Sequence, residues 1–207
     1  MKYKAIIYDL DGTVVDTVEA NFIPLQQLIK EELNQDIPYH ELLKFVTYPG
    51  IKTIEELGFS NIEESYQKWV DKVNAYPNGA KPYPNIVTVL DSVSKQGITQ
   101  AVVSSKKKAQ YQIDIVNQGL GNYFDVVVLE EDTVKHKPDP EPLLTCCSQL
   151  GLQPQEVIYI GDGYSDYQSC LAANIDFGFA SWGSVEKREM QSTYVFNSPL
   201  DILNIIK

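Results

Sequence analysis

Cysteine, methionine, tryptophan and histidine are all scarce in this chain of 207 residues: three Cys, two Met, two Trp and two His. Two of the cysteines are adjacent, Cys146 and Cys147, and the third is Cys170. That is a poor disulfide framework and suits a reducing, cytoplasmic setting. With only His40 and His136, no spacing of a zinc site is present. Basic residues are few as well. Against 28 Asp and Glu stand 17 Lys and Arg, a formal net charge of −11, which disfavours a nucleic acid or an anionic membrane as partner. No apolar run approaches the roughly 20 residues that cross a bilayer. The first such run follows Lys2 and Lys4 but is cut by Asp9, so it does not read as a signal peptide. What remains, 43% hydrophobic and 22% charged residues, is the composition of a globular chain with a full core, as one domain or one domain carrying an insertion.

Five short apolar runs read as strands: Ala5–Tyr8, Ile98–Val103, Val126–Leu129, Val157–Ile160 and Phe177–Ala180. They lack polar alternation, as expected where a parallel sheet is covered on both faces. Helical patterns lie between the later ones: Asn85–Lys95, Lys107–Asn117 with Tyr111, Ile113 and Val116 on its apolar face, and Glu141–Leu150. Strand alternating with helix predicts an α/β fold built on a doubly wound parallel sheet, whose ligands bind beyond the carboxyl ends of the strands. From about 16 to 79 the rhythm breaks. Only amphipathic helical patterns occur there, such as Phe22–Leu33 and Ile62–Val73, until Pro77-Asn78-Gly79 and Lys81-Pro82-Tyr83-Pro84 punctuate the return. The expected organisation is a core of residues 1–15 and 80–207 with a helical module, 16–79, inserted after the first strand. The inserted module holds 11 Asp and Glu against 5 Lys, so large polyanions are poor ligands for it.

Four strand ends carry the chemistry. The first is Asp9-Leu10-Asp11-Gly12-Thr13. Residues i and i+2 of an extended chain point the same way, so both carboxylates face one site, Gly12 lets the chain turn and Thr13 adds a hydroxyl. Such a pair suits a nucleophile beside a general acid/base, although an Asp-x-Asp-Gly run alone is more often a plain turn. The second strand ends in Ser104-Ser105-Lys106-Lys107-Lys108. Ser104 or Ser105 offers a hydroxyl to an anion, with Ser104 preferred. Three lysines at a helix start oppose the macrodipole, and broken local rules often mark functional sites; solvated surface lysines are an equal explanation for Lys107 and Lys108. The third piece is His136-Lys137-Pro138-Asp139-Pro140. Its rigid loop would present the Lys137 ammonium to a carboxylate and an oxyanion together. The last is Gly161-Asp162-Gly163-Tyr164-Ser165-Asp166, with two more carboxylates at a strand end, although Asp166 alone would pass for a helix cap. Oxygen ligands of this kind are what Mg²⁺ prefers. Asp9, Asp11, Asp162 and Asp166 against Lys137 leave an excess of negative charge, which a phosphate dianion would increase. A divalent cation is needed to make that cleft tenable.

Taken in order, these four motifs resemble the haloacid dehalogenase superfamily and, within it, the phosphoglycolate phosphatase-like phosphatases. Asp9–Thr13 is similar to the family's DxDG(T/S) signature, Ser104 to its strand-end Ser/Thr, Lys137-Pro138 to its lysine loop and Gly161–Asp166 to its GDxxxD motif. The helical module after the first strand looks like the family's cap, and Ser181-Trp182-Gly183 is similar to phosphoglycolate phosphatase-like members. The resemblance implies that Asp9 attacks phosphorus and becomes an aspartyl-phosphate. It also implies that Asp11 protonates the leaving alcohol and then activates water, while Ser104 and Lys137 hold the phosphoryl oxygens. Mg²⁺ would be bound by Asp9, the backbone carbonyl of Asp11 and Asp162, with Asp166 ligating through water or orienting the shell. Gly12, Thr13 and Ser105 complete the expected phosphate contacts. His136 and Ser105 stand where many relatives have glycine or arginine, and asparagine; these departures bear on the substrate subgroup. The stretch Thr47–Phe59 is the expected substrate-facing part of the cap, with Gly50 allowing close approach and Lys52 as a possible anion contact or an ordinary solvated lysine. The partner implied is a small phosphorylated metabolite. A pyrophosphatase, a β-phosphoglucomutase-type mutase and a non-catalytic phospho-ligand sensor are the alternatives on the same site. Cys146, Cys147 and Cys170 read as core packing.

Overall fold

The computed structural model describes residues 2–206 apart from 47 and 78; the start of the Thr47–Phe59 stretch and the middle of Pro77-Asn78-Gly79 therefore lie outside the described residues. The chain divides into two compact units, Met1–Asp16 with Pro82–Lys207, and Thr17–Lys81.

The first unit is organised on a parallel sheet. Its strands are β1 (Ala5–Tyr8), β4 (Thr99–Val103), β5 (Val126–Val128), β6 (Val157–Gly161), β7 (Asp176–Ala180) and β8 (Tyr194–Phe196), in the order β5-β4-β1-β6-β7-β8. Every neighbouring pair is parallel. The central strand β1 is wholly buried, which explains its unbroken apolar run. Register aligns Tyr8 with Val102 on one side and Ile160 on the other. The residues that follow these strands, Asp9, Ser104 and Asp162, thus leave the sheet along one edge. β8 was absent from the expected strands: three residues, Tyr194-Val195-Phe196, carry too short a pattern to read.

Each face of the sheet has its own cover. Ala5, Ile7, Val103, Tyr159 and Phe177 pack with Leu143, Cys146, Cys147 and Cys170, the last four from helices α7 (Glu141–Leu150) and α8 (Tyr164–Ala173). All three cysteines are buried free thiols and serve as core. Alternate side chains point the other way. There Gln100, level with Ile6, accepts from the Tyr8 hydroxyl at 3.1 Å and donates to the Leu90 carbonyl at 2.9 Å. These bonds set helix α5 (Ile86–Lys95) on the opposite face, with Ile86, Val89, Leu90 and Val93 buried. The segment expected as one helix over Lys107–Asn117 is instead α6 (Lys108–Tyr111) running into a wide π-helical turn, Gln112–Val116. Asp114 and Ile115 are the buried residues of that turn, and Val116, expected on the apolar face, is 39% exposed. Within that turn Asp114 faces inward and meets the buried Lys106.

Two short strands, β2 (Val15–Asp16) and β3 (Lys81–Pro82), stand where the chain leaves and re-enters this unit. The second unit is all helical: α1 (Val18–Leu33), α2 (Tyr39–Leu42), α3 (Gly50–Glu56) and α4 (Ile62–Asn74). Its core is Phe22, Leu25, Leu28, Ile29, Leu42, Phe45, Ile54, Phe59 and Trp69. Apolar residues at helical spacing on α1 and α4 build that core. The Trp69 indole N–H, donating to the Asn21 carbonyl at 2.9 Å, ties the two helices together. Lys68–Glu32 and Lys72–Glu31 pairs run along the outside, where solvent leaves them little weight. Among the described residues no helix is long and apolar enough to cross a membrane.

Candidate active site

β1 ends by delivering Asp9 into a nearly closed position, 9% exposed. Its backbone N–H donates to the Ile160 carbonyl at 2.8 Å, extending the strand pairing by one residue. The carboxylate is fixed on both oxygens: Oδ1 accepts from the Leu10 N–H at 2.8 Å, and Oδ2 lies 3.2 Å from Lys137 Nζ. Burial pushes this carboxyl up, Lys137 opposes the rise, Asp166 and Asp11 add to it, and the result is about 6. Gly12 then reverses the chain at φ 78°, and a Cβ there would strike the Asp162 carboxylate. Only glycine meets both requirements. Thr13 is fully buried, its hydroxyl 3.4 Å from Asp162 Oδ1.

Lys137 is the hub of the site. Its side chain is 5% exposed and pairs with Asp166 Oδ1 at 2.6 Å as well as with Asp9. Burial lowers a lysine, but here Asp166 and Asp9 outweigh it and hold the ammonium above the usual range, so it stays charged at any working pH. Beneath it the Tyr159 hydroxyl accepts from Nζ at 2.8 Å and faces the Val103 carbonyl at 2.9 Å. Asp166 is held from the other side by the Gly163 N–H on Oδ2 at 3.0 Å. A residue expected as a helix cap or metal ligand is therefore also the anchor of the lysine.

Asp9, Asp162 and Asp166 each offer an oxygen, and these atoms all lie within 4.8 Å of one another. Burial drives the Asp162 carboxyl well above its ordinary value, with Asp9 and Asp166 adding to the rise. Three hard oxygen donors crowded beyond what one lysine neutralises fit a small divalent cation. Two further contacts brace this corner from the segment after β7: the Ser184 hydroxyl donates to the Asp162 carbonyl at 2.6 Å, and the Trp182 N–H to the Thr13 carbonyl at 3.1 Å.

Ser104 is buried at the end of β4, its N–H bonded to the Val128 carbonyl at 3.1 Å. Ser105 is exposed, as are Lys107 and Lys108. Lys106 is not: at 6% exposure its ammonium lies 3.0 Å from Asp11 Oδ1 and 2.6 Å from Asp114 Oδ2. The side chain of Asp11 thus turns to a lysine of its own, apart from the cluster of three carboxylates. Gly50 and Lys52 belong to the helical unit. There a Cβ on Gly50 would meet the Tyr66 ring, and Lys52 Nζ sits 4.8 Å over the Tyr48 ring. His136 is exposed.

Sequence reasoning missed Asp114, Tyr159 and Ser184, and noted Lys106 and Trp182 only within the runs Lys106–Lys108 and Ser181–Gly183, with no role assigned to either. Lys106 had a signal, a cation at a helix start, and Tyr159 had one too, since a tyrosine in a fully buried strand needs a partner for its hydroxyl. Asp114 had none.

The model of the family "Haloacid dehalogenase-like hydrolase" matches residues 6–180. The chain belongs to this family and is a hydrolase. Among its relatives is a phosphoglycolate phosphatase of Aquifex aeolicus, 25% identical over 98% of this chain and 96% of that one. Another is a pyrophosphatase, PpaX, of Bacillus velezensis, 25% identical over 97% and 95%. The structure of a haloacid dehalogenase-superfamily hydrolase, subfamily IA, variant 1, from Geobacter sulfurreducens superposes with a TM-score of 0.83 at 21% identity, covering 100% and 97%.

Proposed function

We propose that this enzyme, a phosphoric monoester hydrolase, is a Mg²⁺-dependent phosphatase that cleaves a small phosphate monoester such as phosphoglycolate through an aspartyl-phosphate on Asp9. One observation carries this: the Asp9 carboxylate, held by the Leu10 N–H and Lys137, stands in a cluster with Asp162 and Asp166 whose charge a divalent cation would balance. In the first step an Asp9 oxygen attacks phosphorus, the bond from phosphorus to the ester oxygen breaks, and Asp11 gives that oxygen its proton. In the second, Asp11 takes a proton from water, the water oxygen attacks phosphorus, and the bond to Asp9 breaks to release phosphate. Ser104 and Lys137 hold the phosphoryl oxygens, and Thr13, Gly12 and Ser105 line the same turn-and-loop edge. Asp9, Asp162 and the Asp11 carbonyl, with Asp166 behind them, would hold Mg²⁺, which would supply positive charge that lets an anionic nucleophile approach an anionic ester. Positioning and charge do most of the work in a reaction whose uncatalysed rate is among the slowest known.

The helical module, 16–79, is the cap in this proposal and selects the leaving group; its acidity favours substrates with little further negative charge. The enzyme acts in the cytoplasm. A second reading, pyrophosphatase, is favoured by the PpaX relative at equal identity, because the phosphoryl site serves either leaving group. The experiment is phosphate release from a panel of small phosphate monoesters and pyrophosphate with Mg²⁺, for wild type and Asp9→Asn. Release by wild type alone is expected. Release by both would remove Asp9 as nucleophile, and release from pyrophosphate alone would favour the second reading.

A further inference from the structure

The site contains two buried lysines, and the mechanism above uses only one. Lys106 is as deeply buried as Lys137 and is likewise set between two aspartates, Asp11 at 3.0 Å and Asp114 at 2.6 Å. A buried ammonium is costly unless paired. Asp114 meets part of that need: it is close, hydrogen-bonded to Lys106 and itself only 12% exposed. The wide turn over Gln112–Val116 that brings Asp114 inward belongs to a class of helix defect frequent at functional sites. Lys106 thus has a partner besides Asp11. Asp11 Oδ1 is buried and lies 3.0 Å from the Lys106 ammonium, while the side chain as a whole is 41% exposed.

We propose that Lys106, braced by Asp114, is a positioning residue for Asp11: its ammonium, 3.0 Å from Oδ1, fixes the orientation in which that carboxyl group meets the leaving oxygen. Without Lys106 the carboxyl is free to turn, and the proton is delivered from no fixed place. The inference rests on Asp11 being the general acid/base of the proposed reaction.

The test compares kcat/KM, which reports the first, phosphorus-transferring step, on two esters. One is the fastest alkyl phosphate of the panel, whose alkoxide needs a proton as it leaves. The other is 4-nitrophenyl phosphate, whose leaving group does not. Lys106→Met is expected to lower kcat/KM on the alkyl ester by about 100-fold, the low end of general-acid contributions, and on the aryl ester by about threefold at most. Equal losses on the two esters, or none, would overturn the inference. If loss of the ammonium beside Asp114 prevents folding, Lys106→Met/Asp114→Leu removes both charges and reads the same ratio. Asp11→Asn runs alongside. An alkyl-selective loss in Asp11→Asn without one in Lys106→Met sinks the inference on Lys106 alone, whereas wild-type rates on both esters in Asp11→Asn sink the general-acid reading beneath it.

Discussion

Replacing Asp9 by Asn should make the metal-free protein more stable. Burial and the neighbouring Asp166 and Asp11 raise the Asp9 carboxyl from 3.8 to about 6 even with Lys137 beside it. A folded-state value above the unfolded one means that the fold disfavours the ionised form. That penalty is absent below the unfolded value, grows as pH rises between the two, and is complete above the folded value. Each unit corresponds to about 1.4 kcal/mol, so the full penalty is about 3 kcal/mol at neutral pH. Asn keeps an acceptor for the Leu10 N–H and carries no charge. In EDTA near pH 7.5 the variant should therefore melt roughly 6–12 °C above wild type for a chain of this size, and by about pH 5 the advantage should halve. Millimolar Mg²⁺ should raise the melting temperature of wild type and narrow the gap, since binding to the native state stabilises it. Thermal melts by circular dichroism, with and without Mg²⁺ at both pH values, check this. A metal-free variant that melts at or below wild type near pH 7.5 refutes the electrostatic reasoning, as does an advantage unchanged at the lower pH.

EDTA should abolish phosphate release and Mg²⁺ restore it; turnover without a divalent cation would contradict the charge balance at Asp9, Asp162 and Asp166. Lys137→Met should cost at least about 100-fold in kcat/KM, because it removes a phosphate contact and leaves Asp9 and Asp166 facing each other, and steady-state kinetics with Mg²⁺ reads it. Gly12→Ala combines an unfavourable φ with a clash against Asp162, so activity and Mg²⁺ affinity should fall together, as calorimetric titration would register. In the helical unit, Ile54→Ala empties a fully buried position and should cost about 2–5 kcal/mol by chemical denaturation.

The sheet was legible because its strands are buried on both faces, so Ala5–Tyr8 and Val157–Gly161 are continuous apolar runs. The ends of those strands were legible because a charge after such a run needs a reason. Legibility failed where an interaction joins residues with no local pattern. Lys106 sat in a run of three lysines of which the other two are exposed, and nothing near Asp114 announces that the helix widens to turn it inward. Tyr194–Phe196 was too short to show a period. The brackets from Trp182 and Ser184 to the loops after β1 and β6 depend on how β7 ends in space, which spacing along the chain does not encode.

The most direct test of the central claim is to look for phosphorus on Asp9. A ³²P-labelled ester of the panel would be mixed with enzyme and Mg²⁺, quenched in acid and digested with pepsin, and the labelled peptide sequenced by mass spectrometry. The phosphoryl group is expected on Asp9 in a bond that hydroxylamine cleaves, and no label in Asp9→Asn. Label on another residue, or full turnover with no labelled protein at any quench time, would contradict the aspartyl-phosphate route.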